Sequence, residues 1–174
     1  MSIIKDNLDK INANITRAAS LSGRTREDIT LVAVTKTRSA DEINEAIDSG
    51  VGQIGENRVQ ELCDKIDAVR DNTILHFIGQ LQTNKVKYII DKINLIQSLD
   101  RLELASEINK RAQRLERKIP VLIEVNIGDE ATKAGLDPEM VKGFIESLSA
   151  YPNIVVEGLM TVAPYCEDKE EVRG

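Results

Sequence analysis

The sequence is poor in the residues that most often announce a chemistry. It holds a single histidine, His76, among 174 residues. One imidazole excludes an HExxH helix and the usual multi-histidine zinc sites, and it makes a Ser-His-Asp triad a poor fit. The two cysteines, Cys63 and Cys166, lie far apart without CxxC spacing. Neither a disulfide framework nor a thiol redox pair is expected, and a reduced compartment suits the chain. Positive charge is in deficit: 23 Lys and Arg against 29 Asp and Glu leave a net charge of -6, the wrong sign for a nucleic-acid surface. The most basic stretch, KRAQRLERK at 110–118, reads as the solvated side of one helix. No apolar run approaches the ~20 residues that span a bilayer. The opening MSIIKDNLDK lacks the basic-then-apolar order of a signal peptide. The expected address is the cytoplasm, with no membrane and no nucleic-acid partner.

What is present is the composition of a soluble globular chain, 41% hydrophobic and 30% charged, long enough for one domain with a real core. Ile4, Leu8, Ile11, Ile15 and Ala18 recur at helical spacing and Gly23 follows, which predicts an amphipathic N-terminal helix. Short apolar runs then alternate with helical patterns. ITLVAV (29–34), VGQIG (51–55), ILHFIG (74–79), NLIQS (94–98), PVLIEVNI (120–127) and IVVEGLMTV (154–162) are six strand candidates. Between them, Ser39 with Glu42, Asn57 with Gln60 and Asp100 with Glu103 have capping-box spacing, and Asp137-Pro138 is a further helix start. Strands separated by single helices form right-handed βαβ units and a parallel sheet, so the class is α/β.

Two parallel architectures compete. GVGQIG at 50–55 matches the dinucleotide fingerprint GxGxxG letter for letter, but that fingerprint needs a strand before the glycines and a helix opening on them. Here a helix ends at Gly50 and the strand lies inside the match, so Gly50 reads as a helix C-terminal glycine. The even beat of strand and helix favours a closed (β/α)8 barrel, a TIM-type fold. Six units are two short of closure, and 174 residues fall below the ~250 typical of that fold. The expectation is one domain over 1–174, C-terminally incomplete.

In such a barrel the chemistry sits just beyond the C-terminal strand ends. Val32, Val34 and Lys36 share one face of the first strand by the period of two. If the valines point inward, Lys36 does too, and an amine among apolar groups is disfavoured in its charged form and attacks carbonyls. The alternative is a strand-end lysine in water. His76, in HFIGQLQTNK, could stack on or hydrogen-bond a ligand, or be a satisfied core histidine. Asn57, in GENRVQE, could reach a ligand or cap a helix. Met160, in EGLMTV, suits a core. Lys133, in ATKAG, is a second amine near the same rim or an exposed loop lysine.

LVAVTK, IGENRVQE, HFIGQLQTNK, IQSLD, EVNIGDEATKAG and EGLMTVAP, in this order between about residues 29 and 168, resemble the YggS-like pyridoxal phosphate (PLP) homeostasis proteins. That family is also called the proline synthetase co-transcribed family. The resemblance implies a barrel related to the N-terminal domain of alanine racemase, with PLP held as a Schiff base on the lysine matching Lys36. It implies that Asn57, His76 and Met160 lie beside the cofactor and that Lys133 is a second amine for its loading or release. It further implies a non-catalytic carrier serving vitamin B6 and amino-acid homeostasis, with PLP-dependent enzymes as recipients of the cofactor. A single-domain amino-acid racemase, a Schiff-base aldolase or a non-binding remnant are the alternatives. The family pattern continues with a Ser-Met-Gly-Met and an Arg-Ile-Gly segment that form its phosphate cradle, and neither occurs here. The resemblance therefore implies a monomer in a complete relative, and weakened PLP binding with association through open strand edges in this chain.

Overall fold

The computed structural model describes residues 2–128 and 134–163. The chain divides into two compact units, Met1–Leu75 and His76–Gly174.

The first unit opens with helix α1 (Ile3–Leu21), whose N-cap is Ser2, the side chain accepting from the Ile4 N–H at 3.2 Å. It buries Leu8 and Ala19 and ends at Gly23, where φ is +72°. That conformation is open to glycine without the steric cost a Cβ would bring. β1 (Val32–Val34) is shorter than its apolar run because residues 26–28 coil into a 3-10 turn and Ile29 caps it. α2 (Ala40–Asp48) starts on the expected capping box, the Ser39 side chain accepting from the Glu42 N–H and Glu42 accepting from the Ser39 N–H. It stops at Gly50, whose φ is +111° and whose N–H donates to Ile47 O at 2.9 Å. This Gly50 is a helix C-terminal glycine, and the dinucleotide match is coincidental. β2 (Gln53–Glu56) pairs parallel with β1, Val32 opposite Gln53 and Val34 opposite Gly55. α3 (Val59–Lys65) follows, and β3 (Ile74–Phe77) begins with the Ile74 N–H donating to Gly52 O. The unit's core is Leu8, Ile43, Ile54, Leu62 and Leu75.

In the second unit β3, β4 (Leu95–Leu99), β5 (Ile119–Glu124) and β6 (Ile154–Met160) are parallel neighbours in chain order. α4 (Leu102–Arg114) joins β4 to β5 and buries Leu104, Ala105, Ile108 and Ala112. α5 (Val141–Ser147) precedes β6, reached through a 3-10 turn that Asp137 caps with Pro138 at its first position. The strongest alternation lies in β5, where Ile119, Val121 and Ile123 are buried and the residues between them only partly so.

Three expectations need correction. Asn57 does not cap α3: Arg58 occupies the cap in extended conformation, and Gln60 instead donates to Asp64 within the helix. Asp100 does not cap α4 either, because its carboxylate is held by Arg101 Nη1 at 2.5 Å, and Arg101 occupies the cap. The β3–β4 connection carries a 3-10 helix (Thr83–Tyr88) in place of an α-helix. Val86 within it and Ile89, Ile90 and Ile93 just beyond it keep helical spacing and are buried. The carbonyls of Ile90, Asp91 and Ile93, however, are taken by the Arg117 guanidinium at 3.2, 2.9 and 3.0 Å. Backbone acceptors satisfied from outside have no need of a continued helix.

Candidate cofactor site

In the first unit, Lys36 lies in the turn immediately after β1. The Arg38 N–H donates to Thr35 O at 3.1 Å, closing a four-residue turn with Lys36 and Thr37 at its centre. Thr37 has φ +64° and Lys36 is not among the positive-φ residues, the sign pattern of a type II turn, whose third position favours glycine. Lys36 is exposed, and so is Val34, at 53%. The described residues therefore give the amine no apolar enclosure. It stands at the strand end in reach of solvent.

Beneath the turn is a buried charge cluster that sequence reasoning missed. Lys65, the last residue of α3, places Nζ 2.7 Å from Glu56 Oε1 and 2.9 Å from Glu61 Oε1. The same ammonium donates to Thr35 O at 2.9 Å and Arg38 O at 3.3 Å, the two ends of the Lys36 turn. Glu61 Oε1 accepts the Thr37 N–H, and the Thr35 hydroxyl donates to Glu56 Oε1. Glu56 is 1% exposed. Burial alone pulls the Lys65 ammonium down, but its bonds to Glu56 and then Glu61 outweigh that and hold it above the usual lysine value. The bond to Lys65 keeps the Glu61 carboxyl below its usual range against a smaller opposing effect of burial, with the Thr37 N–H adding to it. The only local sign was the i, i+4 spacing of Glu61 and Lys65, which most often marks a solvated helix pair.

Asn57 follows β2, half-buried. Its Oδ1 is fully shielded and has no hydrogen-bond partner among the described residues. A buried amide oxygen without a donor costs about 1–3 kcal/mol, so it is a position at which a ligand donor would be welcomed.

In the second unit, His76 on β3 is 5% exposed, with Nδ1 2.7 Å from Gln97 Nε2 on β4. With the Gln97 amide donating, Nδ1 accepts and the ring proton resides on Nε2. Burial depresses the imidazole below its ordinary value, which favours the uncharged ring. Met160 ends β6 in register with Glu124 at the end of β5, partly buried. Glu124 was not anticipated. Its Oε2 is shielded without a partner among the described residues, and burial first, then the charge of Asp100, raises its carboxyl. Lys133 lies outside the described residues. Among the described residues no cluster of three metal-ligating side chains occurs, and no helix is long and apolar enough to cross a membrane.

Parallel βα units with an amine at the end of the first strand define a class, the barrels that resemble the N-terminal domain of alanine racemase. The sequence profile of that family, "Alanine racemase, N-terminal domain", matches residues 7–173. Curated relatives named pyridoxal phosphate homeostasis protein include that of Aquifex aeolicus (strain VF5), 44% identical over 97% of this chain and 74% of its own length. That of Escherichia coli (strain K12) is 37% identical over 96% of this chain and 74% of its own. Among solved structures, an unknown protein from Bifidobacterium adolescentis superposes with TM-score 0.90 at 32% identity, covering 98% of this chain and 73% of that one. PipY of Synechococcus elongatus PCC7942, solved with PLP bound, matches with TM-score 0.72 at 30% identity, covering 90% and 74%. Alanine racemase from Bartonella henselae, at 10% identity and TM-score 0.68, shows the fold alone. The chain belongs to the pyridoxal phosphate homeostasis protein family, within the alanine racemase N-terminal domain family, and its six strands are βα units of that (β/α)8 barrel.

Proposed function

We propose that this protein binds pyridoxal 5'-phosphate through Lys36 and serves intracellular PLP and amino-acid homeostasis as a cytoplasmic carrier without catalysis of its own. The observation that carries the reading is the exposed amine of Lys36 at the C-terminal end of β1, on a turn tied down at both of its carbonyls. Lys36 would hold the cofactor through its aldehyde, the amine acting as the nucleophile when uncharged. The orphaned Oδ1 of Asn57 fits a donor of the bound group. We assign His76, Met160 and Lys133 to the same cofactor. The neutral, Gln97-oriented imidazole of His76 offers a flat, uncharged face for stacking and a donor at Nε2. Bound PLP supplies an electron sink and an electrophilic carbon. The protein's own part is to hold, orient and release it to PLP-dependent enzymes.

The test is trapping. Mixed with PLP and reduced with borohydride, the chain gains a stable adduct on Lys36, read by peptide mass spectrometry and absent from Lys36→Ala. A Lys36 adduct without amino-acid racemisation supports the carrier, and racemisation by the loaded protein turns the reading to an enzyme. A sugar phosphate trapped in place of PLP indicates an aldolase. No adduct at all overturns PLP binding.

A further inference from the structure

The turn that presents Lys36 is built against ordinary economy. It lies at the surface, with Lys36, Thr37 and Arg38 all exposed, and a solvated turn of this kind needs only its own hydrogen bond. Three further bonds reach it from α3. Lys65 Nζ holds the carbonyls of Thr35 and Arg38, and Glu61 takes the Thr37 N–H. The groups that make them are partly withdrawn from water, the Lys65 side chain 12% and the Glu61 side chain 24% exposed, and the Glu56 carboxylate that also holds Lys65 is buried, its side chain 2% exposed. Removing an ion pair from water is costly, and a well-packed apolar group is often at least as stabilising. The turn also contains Thr37, a β-branched residue at φ +64°, a conformation such residues enter only when their surroundings impose it. A buried charge cluster and a strained residue converge on one turn, and the residue that turn presents is Lys36.

We infer that Lys65, charged and held by Glu56 and Glu61, is the positioning residue for the Lys36 amine, fixing the direction in which Nζ leaves the end of β1. This rests on the reading that Lys36 bonds the cofactor. The division of labour is explicit. Glu56 receives the Thr35 hydroxyl and anchors the start of the turn to the end of β2, Glu61 stabilises the left-handed Thr37, and Lys65 joins both carboxylates to the two carbonyls. With the turn fixed, the orientation of the amine is prepared before the cofactor arrives, and less freedom is lost on bonding.

The test uses the full chain with PLP itself, scoring the dissociation constant and the share of borohydride-reduced adduct found on Lys36 relative to the other lysines. Lys65→Met is expected to raise the dissociation constant about tenfold or more and to spread the adduct over other lysines, and Lys65→Arg to regain part of the loss by keeping the charge. Arg117→Met, which removes a guanidinium bonded to three carbonyls in the second unit, is expected to lower the melting temperature and leave Lys36 the preferred site. In a double-mutant cycle, Lys65→Met and Thr37→Gly lose affinity non-additively, because both act through one turn. A folded Lys65→Met with wild-type affinity and its adduct confined to Lys36 overturns the inference and leaves PLP binding intact. Should Lys65→Met fail to fold, Glu61→Gln decides, since it keeps an acceptor for Thr37 and removes only the charge: unchanged affinity overturns the inference, and a severalfold loss supports it. A wild-type chain that gives no Lys36 adduct overturns both this inference and the cofactor reading.

Discussion

Replacing Thr37 by glycine sets the stability of the fold against the rigidity of the Lys36 turn. Thr37 occupies φ +64° and its side chain is exposed, so the substitution removes backbone strain without opening a cavity. A left-handed L-residue costs roughly 1–2 kcal/mol. Glycine returns about 0.4–1 kcal/mol of that by enlarging the freedom of the unfolded chain. The net expectation is a gain of about 0.5–1 kcal/mol, which for a chain of this length raises the melting temperature by roughly 1–4 °C. Urea titration and thermal melts of wild type, Thr37→Gly and Thr37→Ala read it. Alanine removes the hydroxyl and keeps the Cβ, so most of the gain belongs to glycine alone. The same variant gives the turn a residue with no preference for the conformation that presents Lys36, so PLP retention falls as stability rises. Destabilisation by 1 kcal/mol or more in Thr37→Gly refutes the strain argument, and a parallel rise in stability and retention refutes its link to the amine.

Burial lowers the imidazole of His76, so the unfolded chain takes up a proton near the ordinary value of 6.5 before the native one does. Stability present above that value is lost as pH falls toward the native one, and His76→Gln flattens that part of a urea-midpoint profile. Glu124 works in the opposite sense: its raised carboxyl gives stability that is whole below 4.5 and lost as pH rises through the native value. Glu124→Gln therefore gains stability at neutral pH, on the order of 1 kcal/mol or less for a partly solvated group, and the gain vanishes near pH 4 in the same titration. Ser39→Ala breaks a reciprocal cap and costs about 1 kcal/mol, visible as a lower melting temperature with Lys36 trapping unchanged.

The six strands, the Ser39–Glu42 cap and the helix stop at Gly50 were legible because each depends on residues no more than four apart. The side-chain period of two, the reach of a cap and the freedom of glycine at positive φ act before any tertiary contact forms. The same local rules failed at Asn57 and Asp100. Asn57 has capping spacing, yet the chain stays extended through Arg58 and the helix starts later. Asp100 has it too, but Arg101 claims the carboxylate first. Between β3 and β4 the single helix expected of a βα unit is a 3-10 helix, and the carbonyls just beyond it are bonded by Arg117, 24 residues beyond Ile93.

Lys36 is the sharpest case. Its place at the end of an apolar run, and its resemblance to a known cofactor lysine, could be read from the letters alone, because strand periodicity and ordered motifs are properties of the chain. Its surroundings could not. Lys65 lies 30 residues from the Thr35 carbonyl it holds, and nothing local tells that Glu56 faces an ammonium or that the i, i+4 pair of Glu61 and Lys65 turns toward the Lys36 turn. Burial and charge pairing are set by groups brought together from distant parts of the chain, so the amine was determined by the sequence and the buried cluster that steadies it by the tertiary structure.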